Sequence, residues 1–166
     1  MTFQIRALAV DQFSHLFGKD EDELERLGVK RVLVDSMPGF PCRVSLQDAE
    51  VGESVLLMNY EHQAAASPFR SSHAIYVREE AIQAKPAENG VPEVLRRRIL
   101  SLRAFDDAGM MVDADVVDGQ KIVSVIDRMF GDDSVAYIHV HNAKMGCYAA
   151  WVERSPCQSL RGVDRN

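Results

Sequence analysis

The chain predicts a single α+β domain, with a mixed, mostly antiparallel sheet, a few short helices and a C-terminal β-hairpin. Three observations predict it. Apolar residues alternate with a period of two in several short runs, most clearly from Val135 to His141. Turn residues separate neighbouring runs at hairpin distance, as Asp106-Asp107-Ala108-Gly109 does between Ile99–Phe105 and Met110–Val117. Helical patterns are scattered among the strands, so the strict alternation of a parallel βαβ sheet is missing.

In chain order, Thr2 to Leu8 reads as a first strand. Asp11 offers an N-cap for a short helix carrying Phe13, Leu16 and Phe17, stopped by Gly18. Asp20 and Glu23 have capping-box spacing ahead of Leu24 and Leu27, with Gly28 as the stop. Val29 to Asp35 is a strand, and Pro38-Gly39-Phe40-Pro41 must be loop because proline lacks the donor that a helix or ladder needs. Arg43 to Leu46 is read as re-entering a sheet, and Asp48 to Glu53 as a turn. Ser54 to His62 is apolar on both faces (Val55, Leu56, Leu57, Met58), which predicts a central strand. His73 to Arg78 is a further strand. A modest helix opens at Pro92, where proline suits the first turn. Asp118 begins the best helix, whose stripe is Ile122, Val125, Ile126, Met129 and Phe130, ended by Gly131. Residues 1–154 form the domain, and 155–166 hold too few apolar residues to dock, which predicts a flexible tail.

The most informative segment is YIHVHNAKMGCYAAWVE, from Tyr137 to Glu153. Closed symmetrically about Asn142 to Gly146, it sets His141 opposite Cys147, His139 opposite Ala149 and Tyr137 opposite Trp151. One face then presents Tyr137, His139, His141, Cys147 and Trp151. The other gives Ile138, Val140, Tyr148, Ala150 and Val152 to the core.

Composition narrows the classes. A chain of 166 residues suits one domain, and at that size about 68–70% of the unfolded surface is buried. A net charge of −6 argues against nucleic acid and acidic membranes as partners, since both call for a basic field. No apolar run reaches the ~20 residues of a membrane span. Three cysteines without framework spacing, and no leader in MTFQIRALAVDQF, predict a cytoplasmic protein with free thiols.

The strings PGFPCRVSLQDAEVGESVLLMNYEHQ, SPFRSSHAIYVRE, LRAFDDAGMMVDADVV and HVHNAKMGCYAAWVER resemble a bacterial domain-of-unknown-function family, number 1203. The likeness runs from about the first strand to Arg154. It departs from the family pattern at His73-Ala74, in place of Gly-Pro, and at Trp151, in place of a smaller or basic residue. The resemblance implies no activity, cofactor or catalytic residue.

Chemistry is therefore read from the residues. His139 and His141 share a strand face, a spacing at which two imidazoles converge on one ion, and zinc is the metal considered. A third ligand is sought from Cys147, His62 or Glu61, of which the hairpin places only Cys147. The same Cys147 beside His141, with Asn142 to orient the ring, resembles a thiol nucleophile and its base. Both readings compete with hydrogen-bonded histidines and a buried structural cysteine. Cys42, after the proline-rich turn, is a weaker candidate. Arg43, Arg70, Arg78 and Arg103 fall in or beside strands, and guanidinium forks suit carboxylate or phosphate. Arg43 and Arg70 with Ser72 predict an anion pocket, to which Tyr60, His62 and Asn142 are added as ligand-binding residues. The competing reading pairs these arginines with Glu61, Asp113 and Asp115. The expected function is a domain or enzyme for a small anionic molecule with a His/Cys/Arg cleft, its catalytic groups His139, His141 and Cys147. The alternative is a non-catalytic zinc-binding or protein-interaction module. Whether the chain is an enzyme, and whether it forms oligomers, the sequence leaves open.

Overall fold

A computed structural model describes residues 2–156, and the greater part of the expected tail lies outside the described residues. The fold is α+β, as the periodicity predicts, but the strands divide between two antiparallel sheets. The larger has the order β1-β8-β7-β5-β6, from Phe3–Arg6 (β1), Ile99–Phe105 (β5), Met111–Asp118 (β6), Tyr137–Asn142 (β7) and Tyr148–Arg154 (β8). The smaller has the order β2-β3-β4, from Lys30–Leu33 (β2), Ser54–Gln63 (β3) and Ser71–Arg78 (β4). The strand that is apolar on both faces, β3, is indeed central in its sheet.

Three helices accompany them: α1 (Glu21–Arg26), α2 (Glu93–Arg96) and α3 (Ile122–Phe130). The capping box at α1 forms in both directions, with Asp20 accepting from the Glu23 amide and Glu23 accepting from the Asp20 amide. The stripe of α3 is buried as its spacing requires, although the helix starts at Ile122 because Asp118 caps a preceding 3-10 turn instead. At its other end the Arg154 guanidinium donates to the Phe130 and Asp132 carbonyls at 3.0 Å, where the helix dipole favours a cation.

The larger sheet is covered on both faces. On one side, Leu100, Leu102, Ile138, Val140 and Val152 pack on the α3 stripe and on Val94 and Leu95 of α2. On the other, Tyr148 and Trp151 meet Leu56, Met58, Ile75 and Val77 of the smaller sheet. The layers run helices, five strands, three strands, and the seam between the two sheets is where His62, His139 and His141 lie.

Two local expectations are corrected. Arg43 to Leu46 is not a strand: the chain makes single bridges at Pro41–Asp48 and Cys42–Tyr76 and then turns, with Leu46 at φ 49°. The helix expected from Asp11 is two short 3-10 turns, Val10–Gln12 and Ser14–Leu16, too brief for an α-helical ladder yet enough to bury Phe13 and Leu16.

Gly119 fixes how α2 meets the start of α3. A Cβ there would stand 2.0 Å from the Leu95 carbonyl oxygen, a backbone atom that cannot yield. Gly119→Ala is therefore expected to cost about 1–3 kcal/mol or more in urea unfolding, at the upper end of overpacking effects. A neutral result would mean the two helices are free to move apart.

Candidate functional site

The site begins with the way β7 and β8 pair. The sequence places His141 opposite Cys147; the structure pairs His141 with Tyr148, His139 with Trp151 and Tyr137 with Glu153. A bulge in β8 lies between the Val140–Ala150 and His141–Tyr148 pairs and leaves Ala149 as the extra residue. The hairpin loop is also one residue shorter than expected, because Asn142 closes it by pairing its amide with the Cys147 carbonyl at 2.9 Å. Each effect slips the register by one. Near the loop one slip exchanges Tyr148 for Cys147 on the histidine face. Beyond the bulge the second slip restores the parity, so Trp151 keeps the face the sequence assigned to it.

Cys147 is thus removed from both the proposed dyad and the metal set. Its sulfur accepts from Arg43 Nη2 at 3.0 Å and from Asn142 Nδ2 at 3.3 Å, on the face away from His141. Asn142 is spent on that contact and does not orient an imidazole. Arg43, 2% exposed, also donates to the carbonyls of Tyr148 and Pro41, and so it serves the backbone of the bulged strand rather than a ligand. Arg70 is on the surface, held by Glu61 at 2.9 and 3.1 Å. Ser72 is exposed on β4 opposite Glu61. The clamp expected from Arg43 and Arg70 does not form. Cys42 is buried too, its sulfur accepting from the amides of Ser45 and Arg78.

What the structure does bring together is His62, His139 and His141. One ring nitrogen from each lies within 4.8 Å of the others. His139 and His141 come from β7 of the larger sheet and are 0% exposed. His62 comes from the smaller sheet, half-buried, at a second bulge: Glu61 pairs with Ser72 and Gln63 with Ser71, leaving His62 unpaired between them. The bulge aims its ring across the seam, stacked on Tyr148 at 5.7 Å and edge-on to His141 at 4.8 Å. Glu61 points outward, as strand alternation predicts. Tyr60 lies between Phe13 and Tyr148, a wall of the seam rather than a ligand group.

Hydrogen bonding defines the rings further. His141 Nδ1 is 2.9 Å from the Gly146 carbonyl, which can only accept, so Nδ1 carries the proton and Nε2 keeps its lone pair. Gly146 holds φ 75°, a conformation that glycine adopts without penalty. Among the described residues, no protein group hydrogen-bonds His141 Nε2, either nitrogen of His139, or His62 Nδ1, and all four atoms are buried. An unpaired buried polar atom costs about 1–3 kcal/mol, so four in one place call for a partner outside the protein. Rings of Phe105, Tyr137, Tyr148 and Trp151 surround His139 at 4.9–5.4 Å. Burial pushes His62 down to about 4 and His139 and His141 down to about 3, with the nearby Arg103 charge acting in the same direction on each. All three are neutral at pH 7, the form that ligates metals.

A cavity of about 640 Å³ lies elsewhere, along Met37, Gln47, Lys85 and Pro86. Its buried carboxylate, Asp48, is already held by Arg98 and Arg97. None of the candidate residues lines it.

The family can now be stated. The model described as "Protein of unknown function (DUF1203)" matches residues 39–154. The chain belongs to that family. No curated protein and no solved structure matches it. No described helix is long and apolar enough to cross a membrane. The match begins just before Arg43 and ends with β8, so it contains His62, His139 and His141.

The depressed histidines make a pH prediction. With folded values of about 3 to 4 against an ordinary 6.5, the unfolded chain binds more protons between those limits. Stability contributed by the neutral rings is whole above pH 6.5 and is lost as pH falls below it. With chelator present, urea unfolding at pH 7.5 and pH 5 should show His139→Phe losing about 2 kcal/mol less than the parent over that interval. Equal losses would show that His139 does not stay neutral in the fold.

Proposed function

We propose that this protein binds one transition-metal ion of the zinc type through His62, His139 and His141. The observation that carries the reading is the convergence of three neutral imidazoles, two buried and one half-buried, with four buried ring nitrogens that lack a partner among the described residues. Imidazole suits zinc, copper, iron and nickel, whereas calcium and magnesium take oxygen ligands that the seam does not offer. The hydrogen bond from His141 Nδ1–H to the Gly146 carbonyl is the outer contact that fixes tautomer and ring orientation in metal-ligating histidines. On this reading the third ligand is His62, not Cys147.

The ligand nitrogens, spread over as much as 4.8 Å, would draw in to about 3.3 Å around a tetrahedral ion with bonds of about 2.05 Å. Rotation of the rings supplies a shift of that size. Three protein ligands leave a fourth position, as in zinc sites that polarise a bound water or substrate, while closed structural sites use four. A purely structural zinc is accordingly the weaker form of the proposal.

Protein purified without chelator or affinity tag is expected to carry about one equivalent of metal by elemental analysis. His139→Gln and His62→Gln should each weaken zinc or cobalt binding by about 100-fold or more, beyond what losing an outer contact does. Cys147→Ser should leave it unchanged. Metal content indifferent to both histidine substitutions would sink the proposal, and the seam would then hold ordered water.

A further inference from the structure

Arg103 is a seam arginine that the ion pairs among the described residues leave free. It lies on β5 directly opposite His139 of β7, so its side chain leaves the sheet on the histidine face. The carboxylates of the neighbouring strand do not reach it. Asp113 and Asp115 on β6 pair with Ala104 and Leu102, the alternate face, and are taken there by Arg128. Glu61 is taken by Arg70. Across β6 its own neighbour is Ala114. Among the described residues Arg103 makes no ion pair and no side-chain hydrogen bond, although it is half-buried.

Such a guanidinium has a poor position unless something negative comes to it. Strand pairing sets its charge beside His139, where it repels any positive charge placed on the cluster. A divalent ion on those rings would meet the same repulsion at full strength. Two cations in one seam of low dielectric are stable together when an anion lies between them.

Resting on the metal reading above, we propose that the site takes a small oxyanion group, carboxylate or phosphate, bridging the open position of the metal and the Arg103 fork. A guanidinium offers parallel N–H donors that match two oxygens of either group. The anion predicted from sequence thus has its place on Arg103, not on Arg43 or Arg70. Arg103 acts here as a binding residue, and the aromatic wall of Phe105, Tyr137 and Trp151, stacked at 5.3 and 4.1 Å, borders the same face.

The test uses the full chain loaded with cobalt(II), whose visible absorption reports both occupancy and coordination. Acetate and inorganic phosphate, titrated separately, distinguish the two oxyanion sources. At least one should shift the cobalt band saturably. In Arg103→Gln its affinity should fall about tenfold or more, the worth of a charge-assisted hydrogen bond. Cobalt affinity without added anion should rise in the same variant, because a repelling charge is gone. Arg103→Lys should retain the weaker cobalt affinity yet recover little of the anion binding. Opposite signs for metal and anion cannot come from a damaged fold, which would lower both. Normal cobalt binding with no response to either anion, or a response unchanged in Arg103→Gln, overturns the oxyanion site and leaves the metal reading intact. No cobalt binding in the parent chain overturns both.

Discussion

Two buried histidines whose free nitrogens have no partner among the described residues are the constraint around which this fold is arranged. A β-sheet face that packs on a second sheet should carry apolar side chains, because each orphaned polar atom there costs free energy. β7 obeys that rule on its helix side, with Ile138 and Val140, and breaks it on the other, with His139 and His141. The aromatic rings of Phe105, Tyr137, Tyr148 and Trp151 soften the cost by surrounding the imidazoles with polarisable surface. They do not remove it. The pattern is broken at a buried seam, the kind of exception to local rules that functional sites make.

Two β-bulges make the arrangement possible, and they act on different strands for the same end. The one at His62 turns a residue that would otherwise lie in ladder register into one that reaches across to the larger sheet. The one at Ala149 restores the parity that the shortened loop shifts, so that Trp151 faces the histidines along with Tyr148. A bulge leaves backbone groups to be satisfied, and here Arg43 does so: its Nε donates to the Tyr148 carbonyl at 2.7 Å beside the bulge. Burial lowers the pKa of that guanidinium, yet with no carboxylate at hand it is held by carbonyls and the Cys147 sulfur. Arg43 is best understood as a peg that ties the irregular loop of residues 41–46 to the bulged strand.

Much of this was legible in the sequence. Alternation located β7 and put both histidines on one face, and Trp151 and Tyr137 with them. Turn residues found the Ile99–Phe105 hairpin, and capping-box spacing found α1. The division into two sheets was hidden, because period-two patterns say which face is apolar and not which strand lies beside which. Hidden too was the parity of Cys147, since composition does not say whether Asn142 belongs to the loop or closes it by pairing with Cys147. His62 stood among the candidates for a third ligand, but its partner strands are over seventy residues away, and only the packing of the sheets chooses it over Cys147.

The arginines carry the same lesson in electrostatic terms. Four were grouped by type, and the fold gives each a different task. Arg43 holds backbone, Arg70 and Arg78 hold the carboxylates Glu61 and Glu53, and Arg103 holds none among the described residues. Exposed pairs like Arg70–Glu61 contribute little and would tolerate change. The unpaired one is the informative one, because a half-buried guanidinium with no carboxylate on it keeps its donors available to an anion. In sequence Arg103 is the least conspicuous of the four, set between Leu102 and Ala104 of an ordinary strand. It is strand pairing that sets it beside His139 and, by the same alternation, turns Asp113 and Asp115 away from it. Charge and imidazole meet on one face because the ladder permits no other placement.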